Sequence, residues 1–316
     1  MLPQVQLLDI GEESEGQRLD NFLMSLLKGV PKSCIYRMIR SGEVRVNKGR
    51  ANAATRLVEG DVVRVPPVRV SQRVFSEPIV PAKTFPILYE DSSLLVVNKP
   101  AGVAVHGGSG VNYGLIEQLR QAMPECKALE LVHRLDRDTS GAIIIAKKRL
   151  ALTGLQQQFR EREPEKTYLT LVKGGWKEGG RKGSKVIDVP LYKYLTAQGE
   201  RRVRVAGKDD SNGMRAVSIV RTVQKFDDFS LLAVTIKTGR THQIRVHLAH
   251  LGYPIIGDEK YGDFELNKAF AKRHHFSRMF LHSAELNFKH PQSGERIEIS
   301  APLPTQCSAL IKELEG

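Results

Sequence analysis

Residues 133–141 read His-Arg-Leu-Asp-Arg-Asp-Thr-Ser-Gly, placing the carboxylates Asp136 and Asp138 and the arginines Arg134 and Arg137 within five positions. An apolar run from Ala142 to Ala146 follows at once. A polar turn that leads into a buried strand holds its side chains at a sheet end, a rigid place for a reactive carboxylate. The same residues would also make an ion-paired loop that caps the sheet. Local chemistry leaves the two readings evenly matched.

Other chemistry-bearing patterns fail on inspection. In Val105-His106-Gly107-Gly108-Ser109-Gly110, a nucleophile elbow needs glycine at position 111, which is Val, and a dinucleotide loop needs it at 113, which is Tyr. A glycine loop beside a substrate and a plain surface turn both remain. His242, His247 and His250 are spaced by five and three, with no carboxylate to complete a zinc motif, so no metal is expected. Cys34, Cys126 and Cys307 lie far apart with no C-x-x-C pair, which argues against a structural zinc or a disulfide framework. Asp138 as a second acid does not establish the flanking carboxylates of a glycosidase.

The elements that would position these groups fall into two parts. Over 18–65 the apolar spacing of Leu19, Phe22, Leu23 and Leu26, then of Ile35, Met38 and Ile39, predicts two helices broken at Gly29 and Pro31. Two short strands follow, around Val44 to Val46 and Val62 to Val65, with a turn at Asn47-Lys48-Gly49. Prolines between 66 and 84 predict an extended linker. From 85 to 316, strands are expected at Leu94–Val97, Ala142–Ala146, Tyr168–Val172, Ala216–Val220, Leu231–Ile236 and Leu286–Phe288. Helices are expected after Ala146 to about Arg160, over Thr241–Ala249 and over Pro304–Leu314. Strands outnumber helices without strict alternation, which predicts an α+β fold with a mostly antiparallel mixed sheet.

The chain of 316 residues carries 48 Lys and Arg against 35 Asp and Glu, a net charge of +13. Such an excess favours a polyanionic partner, nucleic acid first. The 18–65 stretch alone holds ten basic and four acidic residues, with Arg37, Arg40, Arg45 and Lys48 clustered on its second helix and the turn after it. That cluster suits phosphate contacts. Lys173 to Lys185 adds five glycines and five cations around Trp176, a composition that fits single-stranded RNA or a disordered surface loop. No apolar stretch approaches the ~20 residues that span a bilayer, and no signal peptide is evident at the N-terminus, so a cytoplasmic protein is expected.

Three ordered segments carry a family resemblance. His133–Gly141 resembles the H-R-L-D-x-x-T-S-G signature of the RluA-type pseudouridine synthases. Lys166-Thr167-Tyr168 resembles their K-x-Y motif, and Gly239 to His247 their G-R-T-H-Q-I-R-V-H motif. Arg18 to Val65 is similar to the S4 RNA-binding domain. The resemblance covers about Arg18 to Pro302 and looks most like family members that modify 23S ribosomal RNA. It implies Asp136 as the catalytic carboxylate, Arg245 as its partner and Tyr168 stacked on the target base. Ile244 would be the apolar wall, with His133 and Arg134 beside the substrate.

These types suit the reaction. Pseudouridine formation detaches uracil, turns it and rejoins it through C5, with no net redox change and no expected cofactor. A carboxylate could attack C1′ or C6 or remove the C2′ proton, and the sequence leaves these open. Arginine favours the charged carboxylate and fixes it through a planar fork. An aromatic face holds the loose base while letting it rotate, and the nucleotide would be flipped out to reach it. The expected partner is 23S ribosomal RNA or a precursor large subunit, with a monomer and no required protein partner. A non-catalytic RNA-binding factor is the rival, and it would need one of Asp136, Tyr168 or Arg245 to be missing.

Overall fold

The computed structural model describes residues 4–11, 14–27, 29–68, 80–108, 111–177, 183–197, 199–207 and 210–316. The N-terminal part contains β1 (Gln6–Asp9), α1 (Leu19–Leu26), α2 (Lys32–Ser41), β2 (Arg45–Val46), β3 (Gly49–Arg50) and β4 (Val62–Val65). Its antiparallel sheet runs β1-β4-β2-β3, so it draws in a strand upstream of the 18–65 stretch. Leu19, Leu23, Ile35, Met38 and Ile39 pack from the helices onto Val44, Val63 and Val65. Gly42 ends α2 in the left-handed conformation.

The larger part begins with β5 (Ile87–Glu90), β6 (Leu94–Lys99), α3 (Leu115–Ala122), β7 (Glu130–Leu131), β8 (Ser140–Ala146), α4 (Arg149–Glu161) and β9 (Glu165–Lys173). It continues through β10 (Ser184–Asp188), β11 (Leu191–Leu195), β12 (Arg201–Val205), β13 (Val217–Lys225), β14 (Phe229–Ile236) and α5 (Gln243–His250). It closes with α6 (Phe264–His274), β15 (Leu281–Lys289), β16 (Arg296–Ser300) and α7 (Thr305–Glu315). The main sheet runs β10-β13-β14-β9-β15-β8-β6-β5, with β16 on β15 and β7 on β8. Every pairing in it is antiparallel except β15 with β8. The α+β expectation with a mostly antiparallel mixed sheet is borne out.

The apolar runs are continuous because both sheet faces are covered. Leu95, Val97, Ile143 and Ile145 pack with Leu115 and Leu119 of α3 and Leu248 of α5. Their neighbours Leu94, Val96, Ala142, Ile144 and Ala146 face the other way, onto Leu152 and Leu155 of α4. Phe270 of α6 and Leu310 of α7 build a further cluster with Leu171 and Phe280. Helices α3 and α6 and the β11–β12 hairpin were not anticipated. The apolar face of α6 buries only Phe270, too thin a stripe to register as a period.

The site lies where β15 joins β8 to β9. Ser283 of β15 is opposite Gly141 on one side and Tyr168 on the other, which brings the turn before β8 level with Tyr168. Gly141 sits at φ 113°, and a Cβ there would lie 2.2 Å from the Ser283 carbonyl oxygen. Only glycine fits this junction. Gly141→Ala is expected to destabilise the protein by about 3 kcal/mol or more, read as a shifted urea midpoint. An unchanged midpoint would contradict the junction's role.

Candidate active site

Asp136 lies in the turn before β8, where its carbonyl accepts the Thr139 N–H at 3.2 Å. Its side chain is partly open, at 28 % exposure. The turn is held from beneath by Lys99, at the end of β6 opposite Gly141. The Lys99 Nζ is fully buried and donates to the carbonyls of Pro100 (2.9 Å), Val103 (2.7 Å) and Arg137 (2.9 Å). Burial pushes its pKa down to about 7, against the pull of Asp138 and Asp136. Three carbonyl acceptors require three N–H bonds, so this geometry is that of the ammonium form.

Arg245 projects from α5, and its Nη1 donates to Asp136 Oδ2 at 3.2 Å. Its stronger partner is Asp258, which accepts from Nε and Nη2 at 2.7 Å each. Both side chains are buried. Burial works against the Arg245 charge, but the Asp258 hydrogen bonds and charge raise its pKa. Burial likewise opposes the Asp258 charge, and Arg245 outweighs it, leaving the Asp258 pKa lowered. Asp258 Oδ1 also accepts the backbone N–H groups of Lys260 and Tyr261. Gly257, at φ 76° and against the Arg278 carbonyl, lets the chain turn tightly into Asp258. Neither Asp258 nor Lys99 was singled out from sequence.

The start of α5 is fixed by a buried amide. Gln243 Oε1 accepts from the Thr238 hydroxyl (2.7 Å) and the Arg240 N–H (3.1 Å). Its Nε2 donates to the Val217 carbonyl (2.9 Å) and to Ser218 Oγ (3.0 Å). This ties the Gly239–His247 segment to β13, so that Arg245 faces Asp136.

Tyr168 of β9 is buried, and its pKa is pushed up to about 12, by burial first and Asp136 second, against a hydrogen bond with Ser283. It is a neutral phenol at physiological pH. Ile244 is also buried, in the cluster that contains Tyr168. Both line a cavity of about 90 Å³ with Arg134, Asp136, Ile236 and Leu281. A larger cavity of about 650 Å³ shares Arg134, Asp136, Tyr168, Ile236 and Arg240 with it and reaches outward. The structure thus brings Asp136, Tyr168, Arg245, Ile244 and Arg134 to one place.

His133 lines the outer cavity, but its Nε2 accepts the Ile144 N–H at 3.1 Å. The ring stacks on Phe159 with centroids 4.7 Å apart. Burial, helped by Lys166, pushes its pKa down to about 3, so the ring is neutral. Arg160, Arg162, Lys166 and Lys237 line this cavity too and form no ion pair with a described residue. Arg162 ends α4 at φ 64° in the left-handed conformation. Ala104, Val105 and His106 complete the rim, while Ser109 and Gly110 lie outside the described residues.

Away from this site, Arg37, Arg40, Arg45 and Lys48 are all exposed. Arg45 and Lys48 share a groove of about 870 Å³ with Arg64, and Arg37 and Arg40 are not among its lining residues. Trp176 is no RNA platform. It is 2 % exposed and packs on Tyr253 at 4.7 Å, because its backbone is pinned to Ser230. Residues 178–182 of that glycine-rich stretch lie outside the described residues. Among the described residues no group of His, Cys, Asp and Glu could hold a metal. Among the described residues no helix is long and apolar enough to cross a membrane.

Residues 93–250 match the family model described as RNA pseudouridylate synthase. The chain belongs to that family. Residues 17–63 of the synthase match the S4 domain model. It is 49% identical to the ribosomal large subunit pseudouridine synthase C of Yersinia pestis, over 96% of this chain and 94% of that protein. The protein of the same name from Escherichia coli (strain K12) is 45% identical, over 99% of this chain and 98% of that one. Among solved structures, Human RNA Pseudouridylate Synthase Domain Containing 1 superposes with a TM-score of 0.56 at 26% identity, covering 74% of this chain and 95% of that one. The enzyme is an RNA pseudouridine synthase.

Proposed function

We propose that the synthase converts uridines of 23S ribosomal RNA, in the large subunit or its precursor, to pseudouridine, with Asp136 as the reacting carboxylate and no cofactor. The observation that carries the chemistry is the meeting of Asp136, Arg245 and Tyr168 at the floor of one cavity. The target rests on relatives that are named for the large ribosomal subunit and match nearly end to end.

In this reading Arg245 holds Asp136 toward the ribose, Tyr168 stacks on the uracil, and Ile244 closes the apolar wall beneath it. Arg134, exposed at the cavity mouth, takes the strand as the base leaves its helix, and His133 shapes the wall. The stretch 18–65 docks RNA through Arg37, Arg40, Arg45 and Lys48, the prolines of 66–84 space it, and 85–316 carries the reaction. All these groups come from one chain, so a monomer suffices, acting in the cytoplasm where the ribosome is assembled. Arg160, Arg162 and Lys237, which form no ion pair with a described residue, suit the flanking phosphates.

Mapping pseudouridines in ribosomal and transfer RNA of cells with and without the gene tests the target. Loss of specific 23S sites alone is expected. Loss confined to transfer RNA would overturn the assignment. For the base platform, Tyr168→Leu should lower kcat/KM about 10- to 100-fold, the scale of one base–aromatic stack, while Tyr168→Phe stays within a few-fold. Equal losses in both would show that the hydroxyl, not the ring face, matters.

A further inference from the structure

The structure sets the His242 ring beside Asp136. The residue precedes α5 at φ 53°, a left-handed conformation that few non-glycine residues adopt. The ring is 15% exposed, and its nitrogens meet different partners. Nδ1 lies 2.8 Å from the Tyr261 hydroxyl, which accepts the Val203 N–H at 3.0 Å. Among the described residues Nδ1 is the only acceptor for the phenol's own proton, so Tyr261 donates to Nδ1. The neutral imidazole then carries its proton on Nε2.

Nε2 faces Asp136 Oδ2 at 3.8 Å, about 1 Å beyond a hydrogen bond. That oxygen already accepts from Arg245, whereas Oδ1 accepts no hydrogen bond from a described residue. Tyr261 is itself set by Asp258, which accepts its backbone N–H, and its ring lies under the Arg245 guanidinium at 5.1 Å. One buried carboxylate therefore orders both neighbours of Asp136.

We propose that His242 is a positioning residue of the reaction: locked by Tyr261 with its proton on Nε2, it closes onto Asp136 Oδ2 when substrate fills the cavity, so that Oδ2 is fixed from two sides and Oδ1 meets the nucleotide. This rests on Asp136 being the reacting carboxylate. The groups facing the ring are Asp136, Arg245, Lys260, Asp258 and Tyr261. Burial lowers its pKa, Asp136 and Asp258 oppose this, and Arg245 and Lys260 add to it. The lowered pKa favours the neutral ring, which Nδ1 needs in order to accept the Tyr261 proton.

The test measures kcat, KM and thermal unfolding for His242→Ala, His242→Gln and Tyr261→Phe, beside Asp136→Asn. His242→Ala should lower kcat about 10²-fold, the cost of a misplaced reacting group, with KM nearly unchanged. The Gln amide nitrogen can stand in for Nε2, so His242→Gln should recover most of the rate. Tyr261→Phe frees the ring to take either proton position and should lower kcat without loss of folding.

Full activity in His242→Ala with an inactive Asp136→Asn would overturn this proposal alone. An active Asp136→Asn would overturn the reading beneath it as well. If His242→Ala does not fold, the other two variants decide: a folded His242→Gln without activity, or an unaffected Tyr261→Phe, contradicts the proposal.

Discussion

Asp136→Asn is expected to cut pseudouridine formation about 10³-fold or more, while RNA affinity stays within a few-fold and the protein folds normally. The amide keeps the shape of the side chain and removes its charge and basicity. The structural cost is small because Arg245 keeps its paired hydrogen bonds to Asp258. RNA affinity should survive because Arg37, Arg40, Arg45 and Lys48, and the cations of the outer cavity, are untouched. Filter binding and single-turnover kinetics on the same RNA separate the two effects. Near-normal turnover in this variant would remove Asp136 from the chemistry.

Arg245→Met should be damaging in a different way. It removes the partner of Asp136 and also strands Asp258, whose side chain is 1% exposed. Breaking a buried ion pair from one side typically costs about 3–5 kcal/mol. Adding Asp258→Asn should restore most of that stability, because the amide oxygen can still accept the Lys260 and Tyr261 N–H groups without a buried charge. Activity should not return, since Asp136 still lacks its arginine. Urea unfolding of both variants checks this, and an unchanged midpoint in Arg245→Met would contradict it.

The pair also predicts a pH signature. In the wild type the Asp258 pKa is lowered by folding, so its stabilisation is complete above the ordinary value of 3.8 and is lost as pH falls through the lowered folded value. In Arg245→Met, burial, the largest effect on Asp258, is opposed only by the Lys260 and Tyr261 N–H groups, and the Asp258 pKa is expected to rise. That variant should lose stability as pH rises from 3.8 through the raised value. Measured against the wild type, its deficit should be larger at pH 7 than near pH 4.

The sequence made some of this legible and not the rest. Strands such as Leu94–Val97 and Ala142–Ala146 are readable because burial on both faces leaves an unbroken apolar run. Asp136 is not decidable from its own turn, where a catalytic and a capping carboxylate look alike. It became a candidate through its resemblance to the family signature, along with Tyr168 and Arg245. Asp258 has no local mark, since it lies in a turn with no period and meets Arg245 only through the tertiary fold. Lys99 has no local mark beyond its place at a strand end, yet the fold buries its ammonium among three carbonyls. Trp176 misleads in the opposite sense, because its glycine-rich neighbours suggest an open loop while the ring completes the core.

In the proposed mechanism, Asp136 drives the exchange of the N1 link for a C5 link. Forming the C5–C1′ bond expels the hydrogen of C5 to solvent. RNA transcribed with uridine tritiated at C5 therefore reports the reaction directly. The wild type should release tritium in step with pseudouridine formed, and Asp136→Asn should release none above background. Tritium release by Asp136→Asn at the wild-type rate would contradict the account.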